Sequence, residues 1–195
     1  MGKFTELFDV FGPEVIPIIA WNGRLSPTSS IDPARGLGKI PGVYHPQTDD
    51  WVGMADWTTR EFTRQDAEIW DTWPNANVGL RAKHFPAIDI DEDTNVDFVE
   101  RMLELLSHAY KFISTPIRFR ANSARLLMPL VRTGTELLHK CRFDYGLQDG
   151  SQGAVEMLGD GQQYLIAGTH PSGVPYEWRM WRRTKTAQTL IDLLS

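Results

Sequence analysis

The sequence predicts an α+β fold. Three observations lead there: strand-like apolar runs recur along the chain, two pairs of them fold back across short turns, and amphipathic stretches with helical spacing interrupt them. Thr5 to Phe11 reads as a short helix or turn. Val15 to Trp21 is an apolar strand, and Pro17, which has no N–H for a ladder, places it at a sheet edge. Asn22 to Asp50, rich in Gly, Pro and Ser, reads as one long loop of a length that is unusual unless functional. Thr63 to Trp73 is a helix with Thr63 as N-cap, Asp66 in the first turn, Phe62, Ile69, Trp70 and Trp73 on its apolar face, and Pro74 as its stop. Asn77 to Leu80 is a short strand, followed by the acidic strand Phe85 to Asp93. Val96 to Tyr110 is a helix whose Val96, Val99, Leu103 and Leu106 share one face.

The second half alternates strands and turns. Thr115–Arg120 and Arg125–Val131 form a hairpin across Ala121-Asn122-Ser123, with Ile117 and Phe119 inward and Arg118 and Arg120 on the other face. Leu137 to Phe143 reads as a strand. Gly153–Leu158 and Gln162–Ala167 pair across Gly159-Asp160-Gly161. Tyr176 to Trp178 is a short strand and Thr186 to Leu194 a closing helix. The end at Ser195, just past that pattern, suggests a domain boundary in a longer protein.

Composition bounds the function. A 42% hydrophobic content with seven Trp in 195 residues supports a real core and excludes global disorder. The net charge of -5 excludes a strongly basic nucleic-acid glove; contact with nucleic acid must be local or run through metal ions that offset the repulsion. Cys141 is the one cysteine, so there is no internal disulfide and no cysteine-based zinc site, and a reducing cytoplasm is expected. His139 beside it is too little for a metal centre. No signal peptide and no apolar run long enough to span a bilayer is seen, so no membrane partner is expected.

The chemistry centres on Ala87-Ile88-Asp89-Ile90-Asp91. Alternation along a strand turns Ile88 and Ile90 one way and Asp89 and Asp91 the other, the two carboxylates roughly 7 Å apart along the backbone. Their oxygens suit Mg²⁺ or Mn²⁺. Alone, the stretch also reads as an acidic strand end running into a solvated turn. A calcium loop is a third reading, with Asp89, Asp91 and Asp93 alternating and Glu100 at the last ligand position, but Thr94 stands where that loop wants Gly, and the preceding segment is β-like. Arg118, Arg120 and Arg125 cluster near the hairpin mouth, and the guanidinium fork suits phosphate. Glu156, between Val155 and Met157, points away from the core and needs an arginine, a metal or an open edge. Lys39, between glycines in Gly36–Gly42, is not in a Walker loop, because Pro33 stands at the first Gly position and Ile40 follows the Lys. It still offers charge and nearby backbone donors to a phosphate. The loop Gly168 to Gly173 offers His170, hydroxyls and backbone donors.

Taken in order, these pieces resemble the bifunctional DNA primase/polymerase domain of the archaeo-eukaryotic primase superfamily, in the form encoded by phages and mobile elements. The resemblance spans nearly the whole chain: Gly38-Lys39-Ile40-Pro41, the helix with Trp70 and Trp73, Asn77-Val78-Gly79-Leu80, Asp89-Ile90-Asp91, Arg118 with Arg125-Leu126-Leu127, Glu156 in Val155–Gly159, and the tail from Gly161 through Gly168-Thr169-His170-Pro171-Ser172-Gly173 to Trp178. It implies one catalytic domain over residues 1–195, built as an RRM-like catalytic sheet joined to a smaller N-terminal α/β unit. It implies Asp89, Asp91 and Glu156 as catalytic metal ligands for Mg²⁺ or Mn²⁺. Arg118, Arg125, His170, Lys39, Gln163 and Ser172 are the implied nucleotide contacts. Many members carry a His in the second motif, where this chain has Leu126; Arg118 and Arg125 then supply the triphosphate contacts. The implied partners are a DNA template and primer, nucleoside triphosphates, and a helicase, fused or separate. Two other readings stay open: a non-catalytic DNA-binding replication-initiation module, and a metal-dependent nucleotide phosphohydrolase.

Overall fold

The computed structural model describes residues 2–109, 114–132, 134–146, 150 and 152–182. In chain order the elements are α1 (Lys3–Phe11), β1 (Val15–Ile18), α2 (Pro33–Gly36), β2 (Gly42–His45), β3 (Asp50–Gly53), α3 (Arg64–Trp70), β4 (Asn77–Arg81), β5 (Ala87–Asp91), α4 (Val96–Ala109), β6 (Ser114–Arg120), β7 (Leu126–Pro129), β8 (Cys141–Gly146), β9 (Gln152–Leu158), β10 (Gln163–Ala167) and β11 (Tyr176–Arg182). Helices and antiparallel strands share the chain, consistent with an α+β fold. Two compact units form, the first from Met1–Pro86, Val131–Lys140 and Leu158–Tyr176, the second from the remainder; the first is the larger and takes in two later segments, a correction to the expected smaller N-terminal unit. Tyr110 and the expected helix Thr186–Leu194 lie outside the described residues.

The first unit is built on the antiparallel sheet β1-β4-β10. β1 is its edge strand, as Pro17 requires, with Pro17 opposite Val78. Every residue of β1 and β4 is buried. Gly79 lets the strands close, since a Cβ there would lie 2.8 Å from the end of Ile18. The expected loop Asn22–Asp50 is a correction: it contains α2, and its last part is the strand β2, which pairs with β3. A four-residue strand gives too short an alternation to detect, and the turn closes on Asp49 at φ 51, without the Gly that marks most hairpins. Trp51 is buried against Trp73 at 5.6 Å, edge to face.

α3 begins where its signals place it. The Thr63 hydroxyl accepts from the Asp66 N–H at 3.3 Å, and Asp66 accepts from the Thr63 N–H at 2.8 Å, a complete capping box. Thr63→Ala is expected to cost about 0.5–2 kcal/mol, measured by urea denaturation; an unchanged midpoint would show that the cap contributes nothing. Phe62 and Trp70 are buried, but Ile69 is half exposed, a correction to the expected apolar face, and Trp73 lies beyond the last helical turn. Asp71 has a role the sequence did not suggest: its carboxylate accepts from the N–H groups of Phe4 (2.6 Å) and Thr5 (3.1 Å) and so caps α1.

The second unit is a six-stranded sheet in the order β11-β6-β7-β5-β9-β8. Ile88, Ile90, Ile117, Leu126 and Met128 form its apolar face, against Val99 and Leu103 of α4. Burying each such side chain contributes about 1.5–3 kcal/mol. Val96 is exposed and leaves the expected helix stripe. Three features differ from the sequence reading. β8 starts at Cys141, not Leu137, because Leu137–Lys140 belong to the first unit. β11 runs on to Arg182, with Trp181 packed against the apolar face. Most consequentially, β9 and β10 are not hairpin partners, since β10 pairs with β4. The Gly159–Gly161 turn does form, its Gln162 N–H donating to Gly159 at 3.0 Å, but Asp160 donates to the Leu138 carbonyl and the chain passes into the other sheet. A turn signal encodes a reversal and leaves the partner open.

Candidate active site

Cross-strand pairs share a face, so register places each side chain. Asp89 stands opposite Leu127, and Leu127 opposite Arg118, one row across β5, β7 and β6. Ile90 stands opposite Leu126, and both belong to the apolar core. Asp89 and Asp91 therefore face away from α4. Leu126, the expected second-motif position, packs toward the helix, and its neighbour Leu127, fully buried, stands on the carboxylate face. β9 flanks β5 on its other side. Its Val155 packs against the apolar core, so Glu156 shares the face of Asp89 and Asp91. Met157, like Val155, is only half buried.

Arginines bracket these carboxylates. Arg118 Nη2 is 4.0 Å from Asp89 Oδ1. Arg125 Nη1 is 2.5 Å from Asp91 Oδ1 while its Nε is 3.0 Å from Asp93 Oδ1. Arg120 Nη2 donates to Asp93 at 2.8 Å. Arg142, opposite Glu156 in register, donates to it through Nη1 and to Asp144 through Nε at 2.8 Å. Arg142 and Asp144 were not legible as site residues, because only the β8–β9 register puts them there. Glu92, buried just past β5, accepts from the N–H groups of Thr94 (2.8 Å) and Asn95 (3.0 Å), and Asn95 accepts from Phe98 to start α4. The acidic strand therefore runs directly into a tied turn, with no helix ahead of it as a calcium loop would have.

Burial pushes the Asp89 carboxyl up to about 6; Arg118 opposes this, and Asp91 and Glu156 add to it. Its side chain keeps 31% of its surface, so the effect comes from surrounding protein mass rather than complete occlusion. Asp93 moves the other way: burial would raise it, but the Ser123 hydroxyl and then Arg125 and Arg120 outweigh that and hold it low. Burial, then Glu92 and Asp91, push the Tyr145 hydroxyl up to about 12. A carboxyl whose pKa rises on folding from 3.8 to about 6 favours the fold at low pH and disfavours it as pH climbs through that window. Asp89→Asn is therefore expected to stabilise the metal-free protein near pH 7 by on the order of 1–3 kcal/mol, with the gain vanishing near pH 3. Urea denaturation at both pH values measures this, and equal gains at both would refute it.

The remaining candidates sit in the first unit. Asn77, buried, accepts from the Thr169 N–H at 2.8 Å and donates to the Thr169 carbonyl at 2.7 Å, tying the His170 loop to β4. Gly168, at φ 131, has no room for a Cβ against the Asn77 amide. His170 Nδ1 accepts from the Ser172 N–H at 3.1 Å and lies 2.8 Å from its hydroxyl. Gln163 donates to the Lys39 carbonyl at 2.7 Å, so its amide holds the loop that carries Lys39. The structure thus brings Asp89, Asp91, Glu156, Arg118 and Arg125 onto one sheet face of the second unit. Lys39, Gln163, His170 and Ser172 lie in the first, Gln163 at the start of β10 and bonded to the Lys39 carbonyl, His170 bonded to Ser172.

A family model described as bifunctional DNA primase/polymerase, N-terminal, matches residues 9–188. The chain belongs to this Prim-Pol family. The family is one of DNA primase/polymerase nucleotidyltransferases. No curated protein and no solved structure matches the chain. For a Prim-Pol chain the question is whether the acidic face suits a divalent cation. Among the described residues no three His, Cys, Asp or Glu side chains stand as a ready ligand cluster. The donor chemistry suits one: Asp89, Asp91 and Glu156 share this face and offer hard oxygens, with Arg118, Arg125 and Arg142 as their respective neighbours.

Proposed function

We propose that the chain carries out metal-dependent, template-directed nucleotidyl transfer from nucleoside triphosphates to a primer 3′-hydroxyl. The observation that carries this reading is the single sheet face of a Prim-Pol chain on which Asp89, Asp91 and Glu156 stand between arginines. Asp89, Asp91 and Glu156 would hold Mg²⁺ or Mn²⁺, which when bound supplies Lewis acidity and charge neutralisation for in-line attack on the α-phosphate. Arg118 and Arg125 orient the triphosphate through paired N–H donors. Asp93 keeps Arg125 aimed along the face, whether or not Asp91 is engaged elsewhere. Lys39, Gln163, His170 and Ser172 would supply nucleotide contacts from the first unit. The strand order β6-β7-β5-β9, with α4 joining β5 to β6, supports an RRM-like reading of the catalytic sheet. DNA template and primer and nucleoside triphosphates are the partners, with a helicase fused or separate, and the setting is the cytoplasm.

A second reading, a DNA-binding initiation module without chemistry, draws on Leu127, an apolar residue between Arg118 and Asp89, and on the arginines already engaging Asp91 and Glu156. Primer extension on a primed template with Mg²⁺ or Mn²⁺ separates the readings. Incorporation supports polymerase chemistry. Primer-template binding with no incorporation supports the module, and pyrophosphate release without extension supports a phosphohydrolase.

A further inference from the structure

Arg142 is the cation in the acidic face that neither sequence order nor family membership assigns. It sits on the edge strand β8, directly opposite Glu156. One guanidinium nitrogen meets Glu156; the other two meet Asp144, Nε at 2.8 Å and Nη2 at 2.7 Å. The two carboxylates are unequal. Glu156 keeps 13% of its side-chain surface and Asp144 keeps 70%. Asp144 is thus an exposed tether on the same strand, two residues along and on the same face. Beside the pair opens a cavity of about 430 Å³, lined by Arg125, Arg142, Tyr145, Gln152 and Asp91. Both of its arginines touch a carboxylate of the acidic face, and each has a second acidic partner, Asp93 or Asp144, that is not one of the three proposed ligands.

We propose that Arg142 is the built-in counter-ion of Glu156, competing with a divalent cation for that carboxylate. When the cation takes Glu156, the guanidinium, still tethered by Asp144, turns to phosphate oxygens in the adjoining cavity. Arg142 is a positioning residue for Glu156 before the exchange and a phosphate ligand after it. The proposal rests on the polymerase reading, since it needs Glu156 to accept metal. Physically, one carboxylate oxygen cannot serve a guanidinium and a cation in full, so removing the guanidinium must favour the cation. An ordinary cation near a metal site strengthens nothing and repels metal diffusely. A tethered one adds a second, opposite effect on phosphate.

The test uses the full chain and Mn²⁺, with binding of the ion alone read by electron paramagnetic resonance. Arg142→Gln is expected to bind Mn²⁺ about fivefold more tightly than wild type, the scale of a partly exposed ion pair. In primer extension the same variant is expected to raise the KM for nucleoside triphosphate about tenfold, as loss of a charge-assisted phosphate contact should, with kcat falling less. Arg142→Lys, which keeps charge but not the fork, is expected to return Mn²⁺ affinity to near wild type while leaving KM raised. Circular dichroism checks that both variants fold, as an exposed edge position allows. Unchanged or weaker Mn²⁺ binding by Arg142→Gln overturns the proposal while leaving the polymerase reading standing. Wild type that binds no Mn²⁺ and incorporates no nucleotide overturns both.

Discussion

Replacing Asp89 and Asp91 together by alanine is expected to lower template-dependent nucleotide incorporation by at least about 10³-fold, because metal-assisted charge stabilisation contributes several kcal/mol to such transition states. The loss is expected in kcat, with primer-template binding retained, since the net charge of the acidic face becomes less repulsive to DNA. Unfolding does not explain the effect. Asp89 has a pKa raised to about 6, so the fold disfavours its charge despite Arg118 beside it, and Arg125 keeps Asp93 when Asp91 is gone. Steady-state extension assays with Mg²⁺ and with Mn²⁺ measure it. A variant that extends primers as fast as wild type removes these residues from the chemistry.

The largest expected effect on stability lies in the other unit. Arg81 and Glu14 form an ion pair at 2.7 Å with side chains only 7% and 8% exposed. Arg81 also donates to the carbonyls of Pro13 (2.7 Å) and Arg60 (2.9 Å), and His84 stands 3.5 Å from the other Glu14 oxygen. Glu14→Ala leaves a guanidinium buried among carbonyls with no carboxylate, and is expected to cost about 3–5 kcal/mol. Replacing both partners, Glu14→Leu with Arg81→Met, is expected to cost clearly less than Glu14→Ala alone, because no charge then stays buried. Equilibrium denaturation of both variants decides this. A double variant less stable than Glu14→Ala would show that the pair contributes net stability beyond mutual compensation.

Local rules carried much of the chain. Thr63 with Asp66 encodes a helix start in four residues, Pro17 encodes an edge, and Ile88-Asp89-Ile90-Asp91 encodes which side chains turn inward, because each depends on neighbours within one turn or one pleat. Pairing did not follow from the same rules. The Gly159–Gly161 turn would fit a hairpin as well as the crossover that occurs, and the four-residue strands β2 and β3 are too short for alternation to stand out. Leu126 and Leu127 cannot be told apart by composition, yet one packs under α4 and the other lies between Arg118 and Asp89.

By itself, then, the sequence determined that Asp89, Asp91, Arg118 and Glu156 point off apolar strands, and the order of motifs placed the chain in its family. Tertiary structure decided which of those strands are neighbours. That is a matter of register between segments far apart in the chain, where a shift of one residue turns every side chain to the opposite face. Only that register sets Arg142 across from Glu156, and gives the acidic face its second guanidinium wall.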